Sequence, residues 1–218
     1  MKKETQTREV KIALPDVLLD GLLAFPPEAK GVVLFSHGSG SSRHSPRNNY
    51  VAGILRQSGI ATFLFDLLTE KEDSEYQTRF NIPLLTQRLI GTTLWLINEE
   101  KERHFPLGYF GASTGAAAAL EAAAELPYVI GAVVSRGGRP DLAWKSLPNV
   151  KSPVLLLVGG NDEEVIDLNR LAYDQISCKK ELVIIPQATH LFEEPGTLKE
   201  VANLAANWFT RFLTQKKV

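Results

Sequence analysis

The sequence predicts an α/β protein: a mainly parallel sheet of about eight strands, helices on both of its faces, an antiparallel N-terminal hairpin and no cap domain. Three observations lead there. Short runs that are apolar at every position, such as Val32–Phe35 and Val154–Val158, alternate with longer stretches of helical spacing. A strand with no polar side is buried on both faces, so its sheet lies between helical layers. The opening differs: Glu9–Leu14 and Leu18–Phe25 have Pro15-Asp16 between them, a link only an antiparallel pair can use. Between Val134 and Val154 there is room for a loop and a short helix near Asp141–Ser146, not for a cap.

After the hairpin, Val32–Phe35 is a strand that runs into a Gly/Ser loop. Val51–Gln57 reads as a helix because Val51, Ile54 and Leu55 fall on one face. Ile60–Phe65 is the next strand, and residues 66–80 are a charged, irregular surface excursion. Leu84–Lys101 is helical on the steps Leu85, Leu89, Thr93 and Leu96. Phe105–Phe110 is a strand and Ala116–Glu125 an alanine-rich helix. Val129–Val134 and Val154–Val158 are strands, Glu163–Ile176 a helix, Leu182–Ile185 the last strand and Leu198–Leu213 an amphipathic helix.

A length of 218 residues suits a single domain over 1–218, and no repeat or linker interrupts it. The 24 Lys and Arg against 25 Asp and Glu give a net charge of −1. Such a chain lacks the positive field that nucleic acid or an anionic membrane would require of a partner. A hydrophobic content of 44% with 22% charged residues belongs to a folded chain rather than a disordered one. Cys178 is the sole cysteine, which excludes an internal disulfide and a multi-cysteine metal centre. A histidine metal site would need most of His37, His44, His104 and His190. Glu4 and Glu9 interrupt the N-terminus and no apolar core follows, so it does not read as a signal peptide. The expectation is a cytoplasmic protein without metal or cofactor, a monomer or small homo-oligomer, acting on a small-molecule substrate.

The chemistry is carried by Gly111-Ala112-Ser113-Thr114-Gly115, between a strand and a helix. A tight turn there lifts a serine hydroxyl above the sheet edge, and glycines are needed where side chains would strike neighbouring backbone. The competing reading is a phosphate-binding turn, but Gly115-Ala116 is not the Gly-Lys-Ser/Thr which that requires. A serine nucleophile needs a base, and in this arrangement acid and histidine follow it in that order. His190 is the only histidine after Ser113 and lies in the loop off Leu182–Ile185. Asp162 closes Gly159-Gly160-Asn161-Asp162 after Val154–Val158, and its competing role is N-cap of the next helix. The backbone N–H groups of Thr114 and Ser39 are the candidate oxyanion donors. His37, in Ser36-His37-Gly38-Ser39, is read as structural, holding the loop beneath them.

Those stretches, with Ala188-Thr189-His190, resemble the α/β-hydrolase superfamily and within it the dienelactone hydrolase-like group, from about Val17 to Phe212. The resemblance implies attack on an ester, thioester or lactone through an acyl-enzyme. Dienelactone hydrolase uses a cysteine nucleophile, where this chain has Ser113. The stretch Gly38–Asn48 also resembles one in small bacterial hydrolases, some fused to phosphoribosyltransferase-like domains; no such second domain is expected here.

Ligands of such folds sit at the C-terminal ends of the strands. Arg136 is the first candidate there to hold an anionic substrate group, with Arg43 or Arg139 assisting and Trp144 as a candidate contact. The alternative for the arginines is ordinary pairing with acids such as Asp141. A non-catalytic binding protein of the same fold, or an acyltransferase using the same triad, is the alternative reading of the whole.

Overall fold

The computed structural model describes residues 4–101 and 103–213. Its strands are β1 (Gln6–Ala13), β2 (Leu18–Phe25), β3 (Val32–Ser36), β4 (Ala61–Phe65), β5 (Leu107–Ala112), β6 (Ile130–Arg136), β7 (Val154–Gly159) and β8 (Lys180–Ile185). They form one eight-stranded sheet in the order β1-β2-β4-β3-β5-β6-β7-β8. The pairs β1–β2 and β2–β4 are antiparallel, and every pair from β4 to β8 is parallel. The expected fold class is therefore the observed one.

The helices are α1 (Pro46–Gln57), α2 (Glu70–Ser74), α3 (Ile82–Glu99), α4 (Thr114–Glu125), α5 (Glu163–Gln175) and α6 (Thr197–Phe212). Alternate residues of each central strand feed two cores. Val32 and Leu34 pack with Leu85, Leu89 and Leu96 of α3 and the alanines of α4. Val33 and Phe35 pack with Val51 and Leu55 of α1 and Val201 and Phe209 of α6. That two-sided demand is why β3, β4, β5 and β7 carry no exposed position. Each buried leucine contributes roughly 1.5–3 kcal/mol against conformational entropy. The alanines of α4 let that helix lie close to the sheet behind the serine turn.

Several boundaries differ from the sequence expectation. α1 begins at Pro46, not Val51, because Ser45 caps it by accepting from Asn48 N–H and proline suits the first turn. Residues 66–80 are not irregular: Thr69 and Glu72 form a reciprocal capping box that starts α2, and a 3₁₀ turn follows at Tyr76–Phe80. In place of a short helix near Asp141–Ser146, two 3₁₀ turns occupy Pro140–Ala143 and Leu147–Asn149. β5 continues through Gly111 and Ala112, and β6 through Arg136, so both strands deliver candidate site residues directly at their C-terminal ends. No described helix is long and apolar enough to cross a membrane.

Candidate active site

Ser113 sits between β5 and α4 with φ 51° and ψ −123°, a left-handed conformation that favours glycine. Both of its backbone groups are held: its N–H donates to Arg136 O at 3.3 Å, and its O accepts from Ala116 N–H at 3.0 Å and Arg139 N–H at 3.2 Å. The flanking glycines are there for space. A Cβ on Gly111 would lie 2.5 Å from Ala116 Cα, and one on Gly115 would lie 2.2 Å from Ser36 O. The turn is thus wedged between the helix it starts and the end of β3.

The acid and histidine are brought together. Asp162 precedes α5 in the N-cap position, yet its side chain caps nothing. Its Oδ2 instead lies 2.7 Å from His190 Nδ1. A carboxylate can only accept, so Nδ1 carries a proton, and in the neutral ring Nε2 is then the nitrogen with the lone pair. Asp162 is the more buried partner, its side chain 16% exposed against 38% for His190.

The two loops that carry the pair are tied to each other. A Cβ on Gly159 would sit 2.4 Å from Ala188 O, so only glycine lets them approach. Asn161 N–H donates to Ala188 O at 2.9 Å, and Asn161 Nδ2 donates to Gln187 O at 3.0 Å. Glu194 closes the histidine loop by accepting from Thr189 N–H at 3.1 Å and Thr189 Oγ1 at 2.7 Å. Those bonds from Thr189 hold the Glu194 carboxyl below the usual glutamate range. Ser113 and His190 flank the same peptide, because a Cβ on Gly137, next to Arg136, would lie 3.6 Å from His190 Cε1. No hydrogen bond joins Ser113 Oγ to His190 Nε2 among the described residues.

The loop after β3 lies against the nucleophile: a Cβ on Gly38 would be 3.1 Å from Ser113 Cβ. His37 supports this loop from within. Its Nε2 accepts from Leu67 N–H at 3.0 Å, which leaves Nδ1–H to donate to Gly38 O at 3.0 Å. Burial pushes its pKa down, so the ring is neutral. Ser39 N–H donates to Thr114 Oγ1 at 3.0 Å, a contact the sequence analysis missed. A cavity of about 570 Å³ opens beside this loop, lined in part by His37, Ser41, Ser42, Arg43, Asp66 and Lys71.

The candidate substrate residues separate sharply. Arg43 is paired with Asp66, whose Oδ1 also accepts from Arg43 N–H at 2.7 Å. Arg139 is held in a fork by Asp141 at 2.9 and 2.8 Å. Trp144 is 44% exposed just after the 3₁₀ turn at Pro140–Ala143, and no hydrogen bond among the described residues ties it to Ser113. Arg136 is 7% exposed and has no carboxylate partner among the described residues. Its Nη2 reaches Asn48 Oδ1 only at 3.5 Å, its Nε has no partner, and Phe192 lies 5.8 Å below the guanidinium. Burial, with Arg47 nearby, pushes its pKa down to about 10. Among the described residues no three His, Cys, Asp or Glu side chains gather into a metal site.

Comparison with known proteins bears on the family and the fold. The dienelactone hydrolase family model matches residues 19–215. A crystal structure of dienelactone hydrolase from Anabaena variabilis is 54% identical, covers 97% of this chain and 100% of its own, and superposes with a TM-score of 0.93. An esterase of Pyrococcus furiosus shares the fold at 18% identity and TM-score 0.77, covering 95% of this chain and 92% of its own. A Mycobacterium tuberculosis protein provisionally named a phosphoribosyl transferase is 53% identical over 92% of this chain, which spans only 45% of that protein's length. A family model covering nearly every described residue, and over half identity to a dienelactone hydrolase of matching length, place this chain in the dienelactone hydrolase family of α/β-hydrolases.

Proposed function

We propose that this family member is a serine hydrolase that cleaves a small ester, thioester or lactone through an acyl-enzyme. The observation that carries the reading is the 2.7 Å His190–Asp162 contact beside a serine held at φ 51°. Ser113 Oγ attacks the carbonyl carbon while His190 Nε2 takes its proton. Asp162 fixes the tautomer and stabilises the imidazolium. His190 then returns the proton to the leaving group, and water repeats the sequence on the acyl-enzyme. Backbone N–H groups of Thr114 and Ser39 steady the oxyanion. Labelling with a fluorophosphonate tests the assignment: wild type should react and Ser113→Ala should not. Equal labelling of both would remove Ser113 from the role.

We further infer that the substrate carries an anionic group held by Arg136. A buried cation without a counter-charge is costly, several kcal/mol in real proteins. A substrate carboxylate would supply the missing charge and occupy the free Nε–H together with a terminal N–H. Arg43 and Arg139 are already neutralised and contribute loop structure. On matched neutral and acidic esters, Arg136→Met should lose turnover mainly on the acidic member. An equal loss on both would remove charge recognition.

A further inference from the structure

Oxyanion stabilisation in the reading above rests on two backbone donors, yet one of them is already engaged. Ser39 N–H is committed to Thr114 Oγ1 at 3.0 Å. Thr114 is 3% exposed. A hydroxyl that accepts one hydrogen bond still has its own proton to donate.

Within a helix a threonine usually gives that proton to a carbonyl one turn back. Thr93 of α3 does so, donating to Leu89 O at 2.8 Å. Thr114 has no such outlet, because it is the first residue of α4 and the residue four before it, Phe110, lies in β5. The Ser39 N–H also polarises the hydroxyl and strengthens it as a donor.

Its position follows from its neighbours. Ser39 follows Gly38, which packs on Ser113, and Gly115 follows Thr114 and is pressed against Ser36 O. The hydroxyl therefore lies in the seam between the oxyanion loop and the nucleophile turn. The Thr114 N–H heads the same turn of α4, where helix geometry offers it no internal acceptor.

We propose that Thr114 Oγ1–H is an additional oxyanion donor, so that Thr114 meets the developing charge through both backbone and side chain, with Ser39 N–H acting through the hydroxyl. This rests on the serine hydrolase reading. As Ser113 Oγ bonds to the carbonyl carbon, its proton passes to His190 Nε2 and the π pair moves onto the carbonyl oxygen. Thr114 transfers no proton; it only hydrogen-bonds that oxygen. On collapse the pair returns, the bond to the leaving group breaks, and His190 supplies the leaving group's proton.

Thr114→Val removes the hydroxyl at nearly constant volume, and Thr114→Ser keeps it. Both would be assayed with p-nitrophenyl butyrate and with phenylboronic acid, which forms a tetrahedral adduct on an active serine. Thr114→Val should lose about tenfold to a hundredfold in kcat with little change in KM. That is less than a lost donor can cost, because Ser39 N–H is released to the same oxygen. Its phenylboronate affinity should fall in step, and Thr114→Ser should stay within about threefold of wild type on both readouts. Unchanged or raised turnover in Thr114→Val would overturn the proposal and make the hydroxyl a plug on Ser39 N–H. So would a kcat loss with unchanged boronate affinity, which marks a packing role. If valine prevents folding, Thr114→Ala replaces it with the same criteria. A wild type that neither turns over the ester nor binds the boronate, with Ser113→Ala indistinguishable from it, sinks the hydrolase reading itself and this proposal with it.

Discussion

The two halves of the candidate triad are held in place by packing and polar bonds in different proportions. The nucleophile turn is fixed by close packing: Gly111 and Gly115 meet backbone atoms at distances that admit no side chain. The histidine loop has one such close approach, at Gly159, and is otherwise held by polar bonds, with Asn161 on Gln187, Glu194 on Thr189 and Asp162 on His190. One half is buried in the fold and the other lies at its rim, where Glu193 is exposed and Glu194 half-buried. Damage to the first should therefore appear as lost stability, and damage to the second as lost turnover in a folded protein.

Gly115→Ala is the hardest test of that contrast. Its methyl would lie 2.2 Å from Ser36 O, and backbone cannot swing aside as a side chain can. Destabilisation of roughly 3–5 kcal/mol is expected, seen as a fall in Tm of about 10 °C together with lost esterase activity. A melting curve like that of wild type would show the turn to be looser than its packing implies. Asp162→Asn should do the reverse: kcat falls on the order of 10³ while Tm hardly moves, because the amide can hold the wrong tautomer of His190. A large Tm loss there would make Asp162 a structural residue first.

Smaller effects sharpen the same comparison. Glu194→Gln leaves one acceptor where there were two, so the histidine loop should wander and kcat fall about threefold to tenfold, with Tm unchanged. Turnover equal to wild type would mean that the Asp162 and Asn161 contacts suffice. On the packed side, His37 is held neutral by burial. Below about pH 6.5 the unfolded chain takes up a proton that the folded chain resists, so this contribution is whole above that pH and is lost as pH falls through it. His37→Gln should flatten the acid limb of a Tm-against-pH curve relative to wild type. Parallel limbs would show other groups to control acid stability.

The sequence pointed to Ser113, Asp162 and His190 as candidate nucleophile, acid and base, because that chemistry would restrict residue types at the ends of particular strands. It also posed the choice for Asp162 between helix cap and triad member, and only the distance to His190 decides between those two contacts. Strand order was not legible: hydrophobic runs say that β3 and β4 are buried, not that β4 lies between β2 and β3. The start of α2 was written in Thr69 and Glu72, but a dense run of charges around it obscured the capping pattern. Composition does not tell Arg136, the last residue of β6, from Arg139 three positions later. The difference lies in which carboxylate each loop brings near, as it does for the meeting of Ser39 with Thr114 across 75 positions.

The backbone of Ser113 carries a wider consequence. A non-glycine residue at φ 51° and ψ −123° costs on the order of 1–3 kcal/mol, and its surroundings hold it there. Ser113→Gly should therefore melt a few degrees above wild type while being inert. Selection for durability alone would discard the hydroxyl, and under the proposed serine hydrolase function selection for turnover would keep it. A descendant freed from catalysis would be expected to drift toward glycine at this position and become the sturdier protein.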